Sequence, residues 1–293
     1  MICYIAGIKF EFSGIEADKF NRNFLPFLCP EPDGRIDAEC HVDVIGASDD
    51  LCGSESNKPW SFQLLDGQAV LTGANADGEL LWRMTGETPF EELSFAWNQD
   101  SFFETYNNKR LGSFGIIAVL ALVLRLIELR GVVLHCSASV VDGAGIICTG
   151  RSGQGKSTVS GLLKEAGIDV LTDERAVIRI DESGLRVYGS PWPSSGMCVI
   201  NGSAPLKKLY FLEHGPVNRL QSLTPGGTMK RLLDVVMVPW MNSDFFDPFI
   251  KVLEKVVSDV SASVLSFVPD SSVVDFIRED LNSGSARMRA DLK

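Results

Sequence analysis

The chain has 293 residues, of which 45% are hydrophobic and 22% charged, and its 27 Lys and Arg against 38 Asp and Glu give a formal net charge of −11. That length accommodates one large or two modest domains with proper cores, and the apolar and charged fractions are those of ordinary globular chains. The acidity argues against non-specific nucleic-acid binding, which neutralises phosphates with Lys and Arg.

Charge is spread unevenly. Residues 1–110 carry 8 basic and 19 acidic side chains, whereas 111–293 carry 19 of each. An acidic N-terminal domain over 1–112 and a balanced domain over 113–293 are therefore expected, and the acidity of the first reads as a solvated surface.

Short apolar runs separated by turn residues fill 1–112: Tyr4 to Phe12, His41 to Ile45, Ser61 to Leu65, Ala69 to Thr72 and Glu79 to Arg83. Asp66-Gly67 and Asn75 to Gly78 are hairpin signals between the last three. The pattern predicts a mostly antiparallel, mostly β domain with little helix. Its aromatics (Phe20, Phe24, Phe27, Trp60, Trp82, Phe90 and Trp97) read as core.

A polar stretch, Asn107 to Ser113, leads into a helix running to about Arg130, which is expected to lie under the second domain. Its apolar run, Phe114 to Leu124, is too short to span a bilayer, and the N-terminus lacks the pattern of a signal peptide. No membrane association is expected. Seven cysteines (3, 29, 40, 52, 136, 148 and 198) include no C-x-x-C pair, and there are three histidines. Zinc-type spacing is absent, and scattered reduced thiols point to the cytoplasm.

Gly131 to Gly150 contains two apolar runs about Asp142-Gly143, a strong hairpin signal. The second run ends on Gly150-Arg-Ser-Gly-Gln-Gly-Lys-Ser-Thr158, which fits G-x-x-x-x-G-K-[ST]. With a strand before it and a helix over Ser157 to Ala166 after it, this is a phosphate-cradling loop in its required setting. Gly150, Arg151, Ser152, Gly153, Gln154, Gly155, Lys156, Ser157 and Thr158 are the candidate ATP-binding residues. Backbone amides converge on phosphate at the helix N-terminus, Lys156 reaches the terminal phosphates, and the Ser157 hydroxyl holds Mg²⁺.

Gly167 closes that helix. A strand, Ile168 to Thr172, ends on Asp173-Glu174, and Arg175 to Gly189 reads as a hairpin about Glu182 to Gly184. Pro191 to Gly196 is a loop and Leu206 to Glu213 a strand closed by His214-Gly215. Thr224-Pro225 opens a helix to about Val238, and Asp247-Pro248 another to about Val257. Ser263 to Val268 is a late strand and Ser271 to Leu281 the last helix. Three features point to one site: the loop, the acidic pair Asp173 and Glu174, and His135 on the strand paired with the one that feeds the loop. A carboxylate beside a terminal phosphate either accepts the proton of an attacking hydroxyl or ligates Mg²⁺.

From Leu134 to Ala138, through Gly150 to Ser157 and on to Leu171-Thr-Asp-Glu-Arg175, the chain resembles the kinase domain of HPr serine kinase/phosphorylase. It looks closer still to the related bacterial kinases that include the lasso-peptide precursor kinases. The resemblance covers about residues 113–283, with Ser190 to Pro193 and Ala204 to Glu213 also fitting. It implies an α/β fold of the phosphoenolpyruvate carboxykinase type with a mixed sheet, ATP with Mg²⁺, and phosphoryl transfer to a hydroxyl of a peptide, a protein or a small molecule. It gives Asp173 the role of base, Glu174 that of the second, metal-side acid, and His135 a place beside the transferred phosphate, with Lys156 completing the catalytic set. Three departures stand out. The second acid is Glu, Thr158 follows Lys156-Ser157 where true HPr kinases carry an acid, and Gly196 to Gly202 lacks their glycine-rich signature. These argue against HPr as acceptor and against phosphorylase activity. A small-metabolite kinase and a non-enzymatic ATP sensor remain alternatives. The N-terminal domain is expected to serve acceptor choice or assembly, which leaves a homo-oligomer open.

Overall fold

The chain divides into two units, Met1–Leu129 with Pro239–Asp247, and Arg130–Val238 with Pro248–Lys293. The structure is a computed structural model, and it describes residues 1–14, 22–29, 36–45, 60–65, 68–75, 77–98, 112–194, 198–238 and 243–290. The Asp66-Gly67 turn, Phe20, the stretch 107–111 and Gly196 lie outside the described residues, as does the side chain of Trp60.

The first unit holds a seven-stranded sheet: β1 (Ile2–Ile5), β2 (Ile8–Ser13), β3 (Ala38–Ile45), β4 (Trp60–Leu65), β5 (Gln68–Ala74), β6 (Leu80–Glu87) and β7 (Glu92–Asn98), in the order β1-β2-β3-β7-β6-β5-β4. Tyr4 to Phe12 is two strands rather than one run, because Ala6 and Gly7 both take positive φ and turn the chain. The local hairpins β1–β2, β4–β5, β5–β6 and β6–β7 are antiparallel. β3 departs from that pattern and runs parallel to both β2 and β7. Its neighbours are fixed by distant segments, so no turn chemistry announces them. Trp82 and Trp97 face each other across β6–β7, and Phe24, Phe27, Trp82, Phe90 and Trp97 are all buried in the core.

Helix α1 (Gly112–Glu128) belongs to this first unit. The charge partition places the boundary at 112/113, ahead of this helix, and the compact unit extends to Leu129. Arg125 supplies the physical reason. It is 5% exposed, and its guanidinium donates to the Asp37 carbonyl at 2.9 Å, the Pro89 carbonyl at 2.8 Å and the Glu91 carboxylate at 3.3 Å. Among the described residues no helix is long and apolar enough to cross a membrane.

The second unit is α/β with a mixed sheet. Its strands are β8 (Gly131–Val141), β9 (Ala144–Thr149), β10 (Asp169–Thr172), β11 (Arg175–Asp181), β12 (Gly184–Tyr188), β13 (Ser203–His214), β14 (Arg219–Ser222) and β15 (Ser261–Phe267). Its helices are α2 (Lys156–Glu165), α3 (Pro225–Leu233), α4 (Phe246–Asp259) and α5 (Ser272–Ala290). β8 and β9 form the expected hairpin, with Asp142 and Gly143 both at positive φ, the geometry of a tight two-residue turn. β9 also pairs in parallel with β13. β8 bonds β11 through its first half and β9 through its second. With β11–β12 and β12–β13, these pairings close a circuit of five strands. Its interior is tight: a Cβ added to Gly145 of β9 would lie 2.6 Å from Val187 of β12.

Side chains alternate across β9 and β13, as the two-residue strand period requires. Ile147, Leu209 and Phe211 join Leu232, Val252, Leu253 and Val256 in one core. Ile146, Cys148, Tyr210 and Leu212 join Val159 and Leu163 of α2 and Val273 and Ile277 of α5 in another. The site therefore sits on strands packed on both faces. Helix α3 ends at Leu233, short of the expected Val238. Val235 and Met237 instead bond the backbone of β8, His135 N–H to the Val235 carbonyl and Met237 N–H to the Val133 carbonyl, each at 2.8 Å.

Candidate active site

The candidate phosphate loop leaves β9 after Thr149 and enters α2 at Lys156. Gly153 and Gly155 take left-handed φ of 82° and 93°, which L side chains rarely adopt. Gly155 has a second constraint, since a Cβ there would meet the Phe267 ring at 2.5 Å. No side chain caps α2, and the amides of a helix's first turn have no intrahelical acceptor. Together with the helix dipole they form a site for an anion.

Lys156 is the buried cation of the loop, 8% exposed. Its Nζ donates to the Gly150 carbonyl at 2.8 Å and to the Arg151 carbonyl at 3.4 Å. Burial holds its pKa below the ordinary lysine value, against the pull of the Glu174 carboxylate. A charge kept at that cost, with loop carbonyls as its hydrogen-bond acceptors, is suited to a phosphate.

His135 and Glu174 are brought together by register, within electrostatic reach of Lys156. His135 of β8 lies opposite Arg175 of β11, Cys136 N–H donates to the Glu174 carbonyl at 3.0 Å, and the Thr149 hydroxyl donates to the His135 carbonyl at 2.9 Å. His135 Nδ1 is then 3.4 Å from Glu174 Oε1. Burial lowers the His135 pKa, the positive charges of Lys156 and Arg175 lower it further, and Glu174 opposes them.

Asp173 is not in this cluster. Asp173 and Glu174 form the bend between β10 and β11, and Asp173 is 1% exposed. Its Oδ1 accepts from Ser194 N–H at 2.9 Å, while its buried Oδ2 has no hydrogen-bond partner among the described residues. The structure thus gathers Lys156, His135 and Glu174 and turns Asp173 toward the Pro191–Ser194 loop. Ser157 and Thr158 lie exposed on the first turn of α2, and Ser152 on the loop.

A cavity of about 450 Å³ opens against the loop, between Gly150, Arg151 and Gln154 on one side and Lys230, Arg231 and Asp234 on the other, with Phe211 and Val235 among its lining. Arg231 is held in place by Glu213 at 3.3 Å and by the face of Phe211 at 5.8 Å. Lys230 is exposed and has no ion-pair partner among the described residues. The signal for Lys230 and Arg231 in the sequence is only a basic last turn on a short amphipathic helix. His214, expected only to close a strand, lies with Nε2 2.9 Å from the Gly153 carbonyl of the loop.

No family model matches the chain, and none of the curated proteins matches it in sequence. Among solved structures, the HPr(Ser) kinase/phosphatase from Coxiella burnetii is similar over 54% of this chain and 93% of its own, at 13% identity and a TM-score of 0.33. A superposition that loose leaves function to be argued from the residues of the chain.

Proposed function

We propose that the chain is an ATP- and Mg²⁺-dependent kinase that transfers the γ-phosphoryl group to a hydroxyl of a peptide, a protein or a small molecule. One observation carries the reading: a buried Lys156, in a phosphate loop at an uncapped helix N-terminus, beside the His135–Glu174 pair. Lys156 exchanges its loop carbonyls for the β- and γ-phosphate oxygens, and the first-turn amides of α2 hold the phosphate chain. The attacking hydroxyl oxygen forms a bond to the γ-phosphorus as the bond to the β–γ bridging oxygen breaks, ADP leaves, and the hydroxyl proton passes to a carboxylate.

The resemblance gives that proton to Asp173; burial of Asp173 and the place of Glu174 beside Lys156 favour Glu174. His135, kept neutral by burial and nearby cations, orients the Glu174 carboxylate. Mg²⁺ fits the exposed Ser157 hydroxyl, with phosphate oxygens and waters completing its shell. When bound, it neutralises charge developing on the phosphates. Metal ligation by Glu174 competes with its use as base, and the Mg²⁺ dependence of Glu174→Gln separates the two.

The test is transfer of radiolabel from γ-labelled ATP to acceptors in lysate of the source organism. Glu174→Gln is expected to lower transfer by on the order of 10²–10⁴-fold while ATP affinity stays within a few-fold. Asp173→Asn is expected to act less on transfer than on folding. Collapse of transfer in Asp173→Asn with Glu174→Gln active returns the base to Asp173. Absence of transfer from a wild-type chain that binds ATP overturns the kinase reading in favour of a nucleotide sensor.

A further inference from the structure

We propose that His214 is a positioning residue for the phosphate loop, its imidazole holding the loop apex in the phosphate-binding shape. The consequence for affinity rests on the nucleotide reading above; the brace itself does not. His214 Nε2 lies 2.9 Å from the Gly153 carbonyl oxygen, across 61 residues of sequence. A carbonyl accepts and cannot donate, so Nε2 carries the hydrogen. The parallel register of β9 and β13 pairs Thr149 with Phe211, so continuing both chains brings the end of β13 level with the loop.

The imidazole is itself supported. Its centroid is 5.4 Å from that of Phe267, its registered neighbour across the parallel β13–β15 pair. Phe267 in turn fills the space a Cβ on Gly155 would need. The ends of two strands thereby brace the two loop residues, Gly153 and Gly155, that take left-handed φ.

Among the described residues, the other hydrogen bonds of residues 150–154 and of the Lys156 ammonium stay within the loop. Gln154 N–H donates to the Arg151 carbonyl, Arg151 N–H donates to the Gln154 side-chain oxygen, and Lys156 donates to the Gly150 and Arg151 carbonyls. Lys156 loses those carbonyls when its ammonium turns to a phosphate, and the amides are the groups an anion competes for. The Gly153 carbonyl has no use to an anion, so the His214 bond persists through binding. It fixes the Gly153–Gln154 peptide, whose N–H points opposite its C=O, and so aims the Gln154 amide. A loop ordered before nucleotide arrives loses less conformational entropy on binding.

Two variants of the full chain test this. His214→Phe keeps a ring over Phe267 and removes the donor; His214→Gln restores an amide donor at similar reach. Amide hydrogen exchange over 150–155 without nucleotide reads the brace, and calorimetry with Mg·ATP reads its consequence. His214→Phe is expected to exchange faster at Gln154 and Gly155 and to bind ATP roughly 3–10-fold more weakly, the worth of one hydrogen bond. Its melting temperature is expected to stay at the wild-type value, and His214→Gln to match wild type throughout. Wild-type exchange in His214→Phe overturns the proposal, as does loosening that Gln fails to restore. A wild-type chain that does not bind ATP overturns the nucleotide reading instead, and the exchange measurement still decides the brace.

Discussion

Two of the buried cations, one from each unit, contrast a charge that ties the fold with one that we assign to the proposed site. Arg125 is 5% exposed and Lys156 8%. Arg125 is met by two carbonyls and a carboxylate from connections between strands of its own unit, which offsets its loss of hydration. Lys156 has two carbonyls of the loop it serves, and burial depresses its pKa. Arg125 therefore joins separate connections of its unit, whereas the hydrogen bonds of the Lys156 ammonium stay within six residues of sequence.

The strongest way to break this contrast is to remove both cations in turn. Arg125→Met leaves the Asp37 and Pro89 carbonyls without their donor, and is expected to cost about 3 kcal/mol in urea unfolding. Lys156→Met removes a charge that burial disfavours, and is expected to change stability by no more than about 1 kcal/mol. Equal losses in the two variants would erase the distinction.

A smaller effect sharpens it. His135 is expected to titrate below its ordinary value of 6.5, because burial and the charges of Lys156 and Arg175 outweigh Glu174. The unfolded chain then takes that proton first, so the stability this residue contributes falls as pH drops through about 6.5. Glu174→Gln should move the midpoint lower still and Lys156→Met should raise it, as read by NMR of the imidazole. A midpoint above 6.5 would mean that the Glu174 contact dominates. In that case His135 would be a charged partner rather than a neutral one.

Much of this was legible because its chemistry is local. Asp142-Gly143 turns β8 into β9, Gly184 closes the β11–β12 hairpin, and Thr224 caps α3 by accepting from Gly227 N–H. The candidate phosphate loop is nine consecutive residues, so its glycines, lysine and flanking elements are read in one window. What the sequence left open depends on partners far along the chain. β3 sits between β2 and β7, neither of which adjoins it in a hairpin. Val235 and Met237 leave the helical pattern because β8 offers them hydrogen bonds. Charge grouped α1 with the second unit, while the acceptors of Arg125 lie 88 and 36 residues away in the first. Two adjacent acids look alike in sequence, and the register of β11 on β8 decides that Glu174, not Asp173, meets His135.

The central claim is that Lys156 and the loop around it bind the phosphates of a nucleotide, and calorimetry of Mg·ATP against the wild-type chain and Lys156→Ala tests it most directly. Charge-assisted hydrogen bonds of the kind assigned to Lys156 are worth about 1.5–3 kcal/mol each, so affinity is predicted to fall by roughly 10–150-fold in the variant. Equal affinity in the two chains, or no binding by the wild type, would contradict it.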